Sequence, residues 1–225
     1  MTRDHFHADL EKLEFSILEM GELAERAIAL AADALVSQDD ALADRVIDGD
    51  DDLDNTYLDV EHRWLELLAL QTPVASDLRL LTAMLHMNLH LERIGDMAVN
   101  IAKIAKITRS LPVNQTILVH LREMADVVRP MIRTAMESFA KRDLSLAMRL
   151  PELDEPVDRL NRGMWREVAA CAGDPELLEW AVRMMVVSRQ LERVGDHAVD
   201  IAEQVAFLLT GEFREFTDAS EPQNA

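Results

Sequence analysis

Apolar residues recur at steps of three and four along almost the whole chain, and the alternation of a half-buried strand is missing. Breaks in this pattern divide it into six helices. The first is expected from about Asp9 to Val36, ending near SQDD. The second follows with Asp39 as N-cap and continues to about Leu70. QTPVASD interrupts the chain at Thr72–Pro73, and Ser76 is the expected cap of a third helix that ends near Thr108. A fourth runs from after Asn114 to about Ala140, and a fifth, after the turn KRD, to about Cys171. Asp174 caps the sixth, with Pro175 at its first position and Gly211 at its end. Pro130, Pro151 and Pro156 fall inside the fourth and fifth patterns, where each is expected to kink or interrupt its helix. EFREFTDASEPQNA reads as a frayed polar tail.

The six helices are three helices written twice. LERIGDMAVNIA (Leu91–Ala102) returns as LERVGDHAVDIA (Leu191–Ala202). LVSQDDALADRVIDGDDDLD (Leu35–Asp54) aligns without gaps to FAKRDLSLAMRLPELDEPVD (Phe139–Asp158), placing Asp50 on Asp154 and Asp54 on Asp158. Duplication of a unit of about one hundred residues explains both echoes in order and spacing. The expected fold is therefore all-α, two tandem three-helix bundles. The expected boundaries are 1–109 for the first, 110–211 for the second and 212–225 for a flexible tail.

Composition supports this reading. Of 225 residues, 49% are hydrophobic but only 4% aromatic, and Ala, Leu, Met and Glu favour helices. The formal net charge of −19 argues against nucleic acid as a partner and against an anionic membrane surface. One cysteine, Cys171, excludes an intrachain disulfide and reads as a small core residue. Neither a signal peptide nor a run long enough to cross a bilayer is seen, so a cytoplasmic location without membrane insertion is expected.

The repeated phrase carries the candidate chemistry. At about 100° per residue, Glu92 and Asp96 stand one turn apart on a line with Leu78, Leu81, Leu85 and Val99. Glu192 and Asp196 share a line with Leu178, Ala181, Met185 and Val199. Asn100 and Asp200 sit one further turn along. Two adjacent carboxylates on an apolar stripe must be protonated, paired with arginine or held by a cation. Arg93, Arg193, Arg79 and Arg189 are the available arginines. A hard or borderline cation (Mg²⁺, Mn²⁺, Fe or Zn²⁺) suits carboxylate oxygens at this spacing, and Asp50, Asp54, Asp154 and Asp158 are placed to add more. Gly95, Ala98 and Ala102, repeated as Gly195, Ala198 and Ala202, form small-residue strips that point to a close backbone neighbour. His86 and His90 are one turn apart but face away from Glu92; His197 lies off the Asp196 line, and no shared metal role is expected of them.

LERIGDMAVNI and LERVGDHAVDI, with QTPVASDLRLL before the third helix, resemble the PhoU family of phosphate-transport accessory and regulatory proteins, over about Asp9 to Gly211. The resemblance implies two similar three-helix bundles with metal clusters, often iron or zinc, on their acidic surfaces. That carries over to Glu92, Asp96, Glu192 and Asp196, with Asp200 as an extension and Asn100 in place of a frequent acid. It moves the acids from a core-facing position toward an open groove. It also implies a non-catalytic regulator of phosphate uptake and starvation signalling, contacting the phosphate ABC transporter, with its ATPase subunit as the expected target, and a membrane sensor histidine kinase. A homodimer is the expected assembly. The residues alone leave two alternatives, a carboxylate-bridged di-iron redox enzyme and a metal-free scaffold. Neither phrase holds the Glu-x-x-His motif of the usual di-iron bundle.

Overall fold

The computed structural model describes residues 3–70 and 73–216. Eight helices lie in them: α1 (Arg3–Ser37), α2 (Asp40–Asp48), α3 (Asp50–Leu70), α4 (Ala75–Thr108), α5 (Gln115–Lys141), α6 (Leu144–Ala147), α7 (Leu150–Ala170) and α8 (Pro175–Thr210). No strand occurs among the described residues. Helix α1 packs on α3 and α4, and α5 packs on α7 and α8, which gives the same three-helix arrangement twice. The two arrangements then share a seam, formed by α1 against α5 and by α4 against α8.

Local chemistry sets most of the helix ends. Asp39, Asn114, Asp143 and Asp174 each accept backbone N–H bonds from the residues two and three ahead, satisfying donors that a helix start leaves orphaned. Gly211 ends α8 at φ 77°, a left-handed conformation glycine adopts freely. The duplication is visible in the backbone itself. Gln38 and Arg142, equivalent in the repeat, both adopt φ 53°, and each precedes a capping aspartate.

Four sequence expectations are corrected. Val74 occupies the N-cap of α4 without a side-chain bond, and Ser76 lies inside the helix. The expected second helix divides at Gly49 into α2 and α3. Helices α5 and α7 carry through Pro130 and Pro156, and the fifth pattern breaks earlier, at Met148–Arg149. Pro151 then falls in the first turn of α7, where its missing N–H has no intrahelical acceptor to lose. The start of the expected tail is also ordered against α8. Phe213 stacks on Phe207 with ring centroids 3.9 Å apart, and the Phe216 N–H donates to Glu203 Oε1 at 2.5 Å. The rest of that tail, residues 217–225, and Thr72 at the expected break lie outside the described residues.

One apolar cluster runs through both halves. It includes Leu13, Ile17, Leu91 and Ile94 from the first, and Met131, Phe139, Trp180 and Val194 from the second. Gly21 on α1 lets Met136 of α5 approach so closely that a Cβ there would lie 2.6 Å from Met136 Cγ. Arg122 bonds to Asp33, Arg133 to Glu25 and Arg142 to Glu14, all across the α1–α5 side of the seam. Cys171 is buried, as is Trp180, whereas Trp165 is exposed. No helix among the described residues is long and apolar enough to cross a membrane.

Candidate metal centre

The repeated phrases lie on α4 and α8 where these helices border α3 and α7. Gly95 faces α3, and a Cβ there would meet Leu53 Cδ1 at 3.0 Å and Asp50 Oδ1 at 3.6 Å. Gly195 faces α7 more tightly, with the position of a Cβ only 2.1 Å from Asp154 Oδ1. The small-residue strips therefore do what their sequence suggests. They let an acidic neighbour settle against the helix that carries the ExxxD pair.

The first set gathers Glu92, Asp96, Asp50 and Asp54. Glu92, Asp96 and Asp50 are half-buried and Asp54 is exposed. Burial raises the Glu92 carboxyl above its ordinary range, and Asp96, Asp54 and Asp50 add to the rise against the opposing pull of Arg93. Burial also raises Asp50, assisted by Asp54 and Asp96. Arg93 bridges the pair, with Nε 3.4 Å from Glu92 Oε2 and Nη1 3.3 Å from Asp96 Oδ2. A cleft of 360 Å³ opens beside this set, lined by Leu23, Arg45, Asp50, Leu53, Gly95 and Val99 among others.

The second set gathers Glu192, Asp196, Asp158 and Asp154. Glu192, Asp154 and Asp158 are buried, and Asp196 is exposed. Burial, then the charge of Asp196, drives the Glu192 carboxyl from 4.5 up to about 7, with Asp158 adding to the rise. Arg189 Nη1 bonds to Glu192 Oε1 and opposes it. Glu192 Oε2 is buried with no hydrogen-bond partner, an uncompensated position for an ionised oxygen. Arg162 lies 3.4 Å from Asp158 and 3.0 Å from Glu155. Of the other arginines, Arg79 lies against Gly211 at the far end of α8, while Arg193 is exposed.

The acids do not sit at the centre of the apolar stripe. Leu78 and Met185, on the same helical lines, are each 43% exposed, while Met84, Leu91, Ile94 and Ile101 form the fully buried face of α4. The glutamates thus mark the edge of the core and the aspartates one turn on reach toward solvent, an arrangement closer to a groove than to an interior site. Asn100 is exposed one turn beyond Asp96.

Asp200 has different company. Its Oδ2 is 3.4 Å from His90 Nδ1 and 3.4 Å from His197 Nδ1, and the two nitrogens are 3.0 Å apart. Burial lowers the His90 imidazole to about 4, opposed by the charge of Asp200. Sequence reasoning placed His90 and His197 correctly on their own helices but had no means to pair them. They stand 107 residues apart on α4 and α8, and Gln190 and Met97 replace them in the repeat, so neither periodicity nor duplication marks the contact.

A further regularity links the halves. The buried Asn88 donates to the Tyr57 carbonyl at 3.1 Å, and Ser188, its repeat counterpart, donates to Asn161 at 2.9 Å. Each ties the helix bearing the acidic phrase to the helix that supplies the additional aspartates, one turn from the glutamate.

Known proteins share this architecture and sequence. The PhoU domain matches twice, over residues 17–105 and 121–205. A phosphate-specific transport system accessory protein PhoU homolog of Caulobacter vibrioides is 34% identical over 212 residues, covering 94% of this chain and 92% of that protein. A homolog of the same description from Clostridium acetobutylicum is 31% identical, covering 97% of this chain and 100% of its own. The crystal structure of PhoU from Pseudomonas aeruginosa superposes with a TM-score of 0.86 at 33% identity, covering 92% of this chain and 100% of that one. The phosphate transport system regulatory protein PhoU from Streptococcus pneumoniae gives 0.84 at 26% identity, covering 93% and 99%. With both halves matched and the helices superposed along nearly their whole length, the chain belongs to the PhoU family.

Proposed function

We propose that this protein is a non-catalytic regulator of phosphate transport that binds metal ions through its two acidic helix faces. The transport role rests on relatives described as phosphate-specific transport system accessory proteins. Its targets in this reading are the ATPase subunit of a phosphate ABC transporter and a membrane sensor histidine kinase, engaged by a homodimer.

The metal half rests on one observation above the others, the buried Oε2 of Glu192. It has no hydrogen-bond partner, and Asp196 and Asp158 raise the cost of ionising its carboxyl. A multivalent cation bound between Glu192, Asp196, Asp158 and Asp154 satisfies that oxygen and removes the mutual repulsion. Glu92, Asp96, Asp50 and Asp54 offer the same donor types on the other half, in a more exposed setting. Carboxylate oxygens suit iron, manganese, magnesium or zinc. Bound there, the metal supplies positive charge to a face that otherwise repels anions, which suits a regulator that docks on a partner carrying acidic groups or phosphate.

Arginine pairing supports a second reading, a metal-free scaffold, because Arg93 and Arg189 already contact both glutamates. Elemental analysis of protein purified without chelator separates the two. Glu192→Gln with Asp196→Asn is expected to lower the metal content, and unchanged stoichiometry refutes the assignment. The regulatory half is tested by phosphate uptake and a phosphate-responsive reporter in cells lacking the protein. Uptake and reporter output equal to those of wild-type cells refute it.

A further inference from the structure

We infer that His90, His197 and Asp200 form a zinc-binding site on the seam between α4 and α8, separate from the Glu192–Asp196 face. The three donor atoms are His90 Nδ1, His197 Nδ1 and Asp200 Oδ2, and they form a triangle with sides of 3.0, 3.4 and 3.4 Å. Zinc bonded at about 2.05 Å in a tetrahedron separates neighbouring ligand atoms by about 3.3 Å. A point about 2.05 Å from all three atoms lies about 0.8 Å out of their plane, against about 0.7 Å for the ideal tetrahedron of that size. Three donors from two helices thus already stand at the corners of a zinc coordination shell.

Hydrogen bonding accounts for this cluster less well. Two facing Nδ1 atoms share at most one proton between them. At 3.4 Å the carboxylate oxygen is beyond the ordinary N–H···O range of about 2.7–3.2 Å from either ring. The ring centroids are 5.2 Å apart, so the Nδ1 edges face each other. Both imidazoles are largely sequestered, at 18% and 17% side-chain exposure, whereas Asp200 is 41% exposed. The fourth position therefore opens on the solvent side, where water completes the shell. Imidazole nitrogen with a single carboxylate favours zinc over magnesium or calcium, which prefer all-oxygen shells.

Zinc here would tie the two halves together. His90 belongs to the first repeat and His197 and Asp200 to the second. The bound ion would fix α4 against α8 at the level of both acidic phrases.

The test is zinc titration of the full chain after chelator treatment and dialysis, in competition with a chromophoric chelator. His90→Gln and His197→Gln are each expected to remove one zinc equivalent or weaken it by more than the roughly 10–100-fold that loss of an outer-shell partner costs. Glu192→Gln with Asp196→Asn is expected to retain that equivalent. Wild-type stoichiometry and affinity in both histidine variants would overturn the site. Loss of zinc only in the acidic variant would also overturn it while leaving the acidic-face reading intact. Retention in the acidic variant with loss in the histidine variants supports it whether or not the acidic faces bind metal. Nitrogen-15 spectra of the histidine rings in the wild-type chain make the test independent of whether the variants fold. The Nδ1 signals of His90 and His197 are expected to shift with zinc, and unmoved signals refute the site. Cobalt in place of zinc should give the strong visible band of four-coordinate geometry, and a weak six-coordinate spectrum would count against it.

Discussion

Replacing Gly195 by alanine tests whether the repeated glycine is kept for space. A Cβ at that position would stand 2.1 Å from Asp154 Oδ1 and 3.2 Å from Asp154 Cγ. A carbon and an oxygen normally meet no closer than about 3.3 Å, so the carboxylate must retreat by about 1 Å. Asp154 is buried, so rotation of its carboxyl alone leaves Cγ too near and the spacing of α7 and α8 must also give. Overpacking of this kind costs about 1–3 kcal/mol. Alanine returns about 1 kcal/mol of helix propensity. The net expectation is a loss of about 0–2 kcal/mol, against a gain where the added methyl meets nothing. Gly95→Ala is crowded by the terminal methyls of Leu53 at 3.0 and 3.2 Å, a flexible contact, with Asp50 Oδ1 at an ordinary 3.6 Å, and should fall within about 1 kcal/mol of wild type. Gly163, inside α7, has nothing within 4 Å of a Cβ, and Gly163→Ala should gain about 1 kcal/mol. Urea unfolding followed by circular dichroism measures all three under one buffer with chelator. If Gly195→Ala proves as stabilising as Gly163→Ala, Asp154 does not occupy the space over Gly195, and the close approach that builds the second acidic set is wrong.

Glu192→Gln should make chelator-treated protein less sensitive to pH. Because the folded carboxyl is raised from 4.5 to about 7, the wild-type chain loses stability as pH climbs through that interval and keeps the loss above it. The whole shift corresponds to about 3 kcal/mol, which screening beside the exposed Arg189 and Asp196 reduces to about 1–2 kcal/mol. Urea unfolding in chelator at pH 4.5 and 8 should show the variant gaining that amount on wild type between the two, and no change in the difference contradicts the burial of this group. Gln38→Gly relieves a side chain held at φ 53° on an exposed turn and should add about 1 kcal/mol to thermal or urea stability; a loss there contradicts the left-handed turn. Phe213→Ala removes the stack on Phe207 and should cost about 0.5–1.5 kcal/mol with increased proteolysis after Gly211; unchanged stability and cleavage show the return of the chain to be unimportant.

Much of the architecture is written locally. Asp39, Asn114, Asp174 and Gly211 act through bonds to their own helix ends, and Pro175 through its fixed φ and missing donor, so a single sequence suffices to place them. The break at Gly49 is different. Its φ of −79° is an ordinary right-handed value, and aspartates continue a helical pattern on both sides, so nothing local distinguishes it from a tolerated mid-helix glycine. Pro130 and Pro156 are likewise ambiguous, because a helix held by neighbours on several sides tolerates one missing donor. At the acidic faces, periodicity gave the angular relation of Glu92 to Asp96 but not the depth of their line, which depends on where α3 and α7 lie. Leu78 and Met185 are exposed for that reason. The His90–His197–Asp200 cluster depends wholly on how α4 meets α8, a relation between halves that no pattern within one helix encodes.

The Gly21–Met136 approach carries a consequence for how the duplicated gene product can be handled. A three-helix unit cut free near Leu111 would leave one flank of α1 or α5, and the matching flank of α4 or α8, bare to water. Separated halves should therefore be sticky fragments that recover solubility by recombining, and a graft that swaps one half for a relative's will succeed only if both sides of the joint are transplanted as a matched pair.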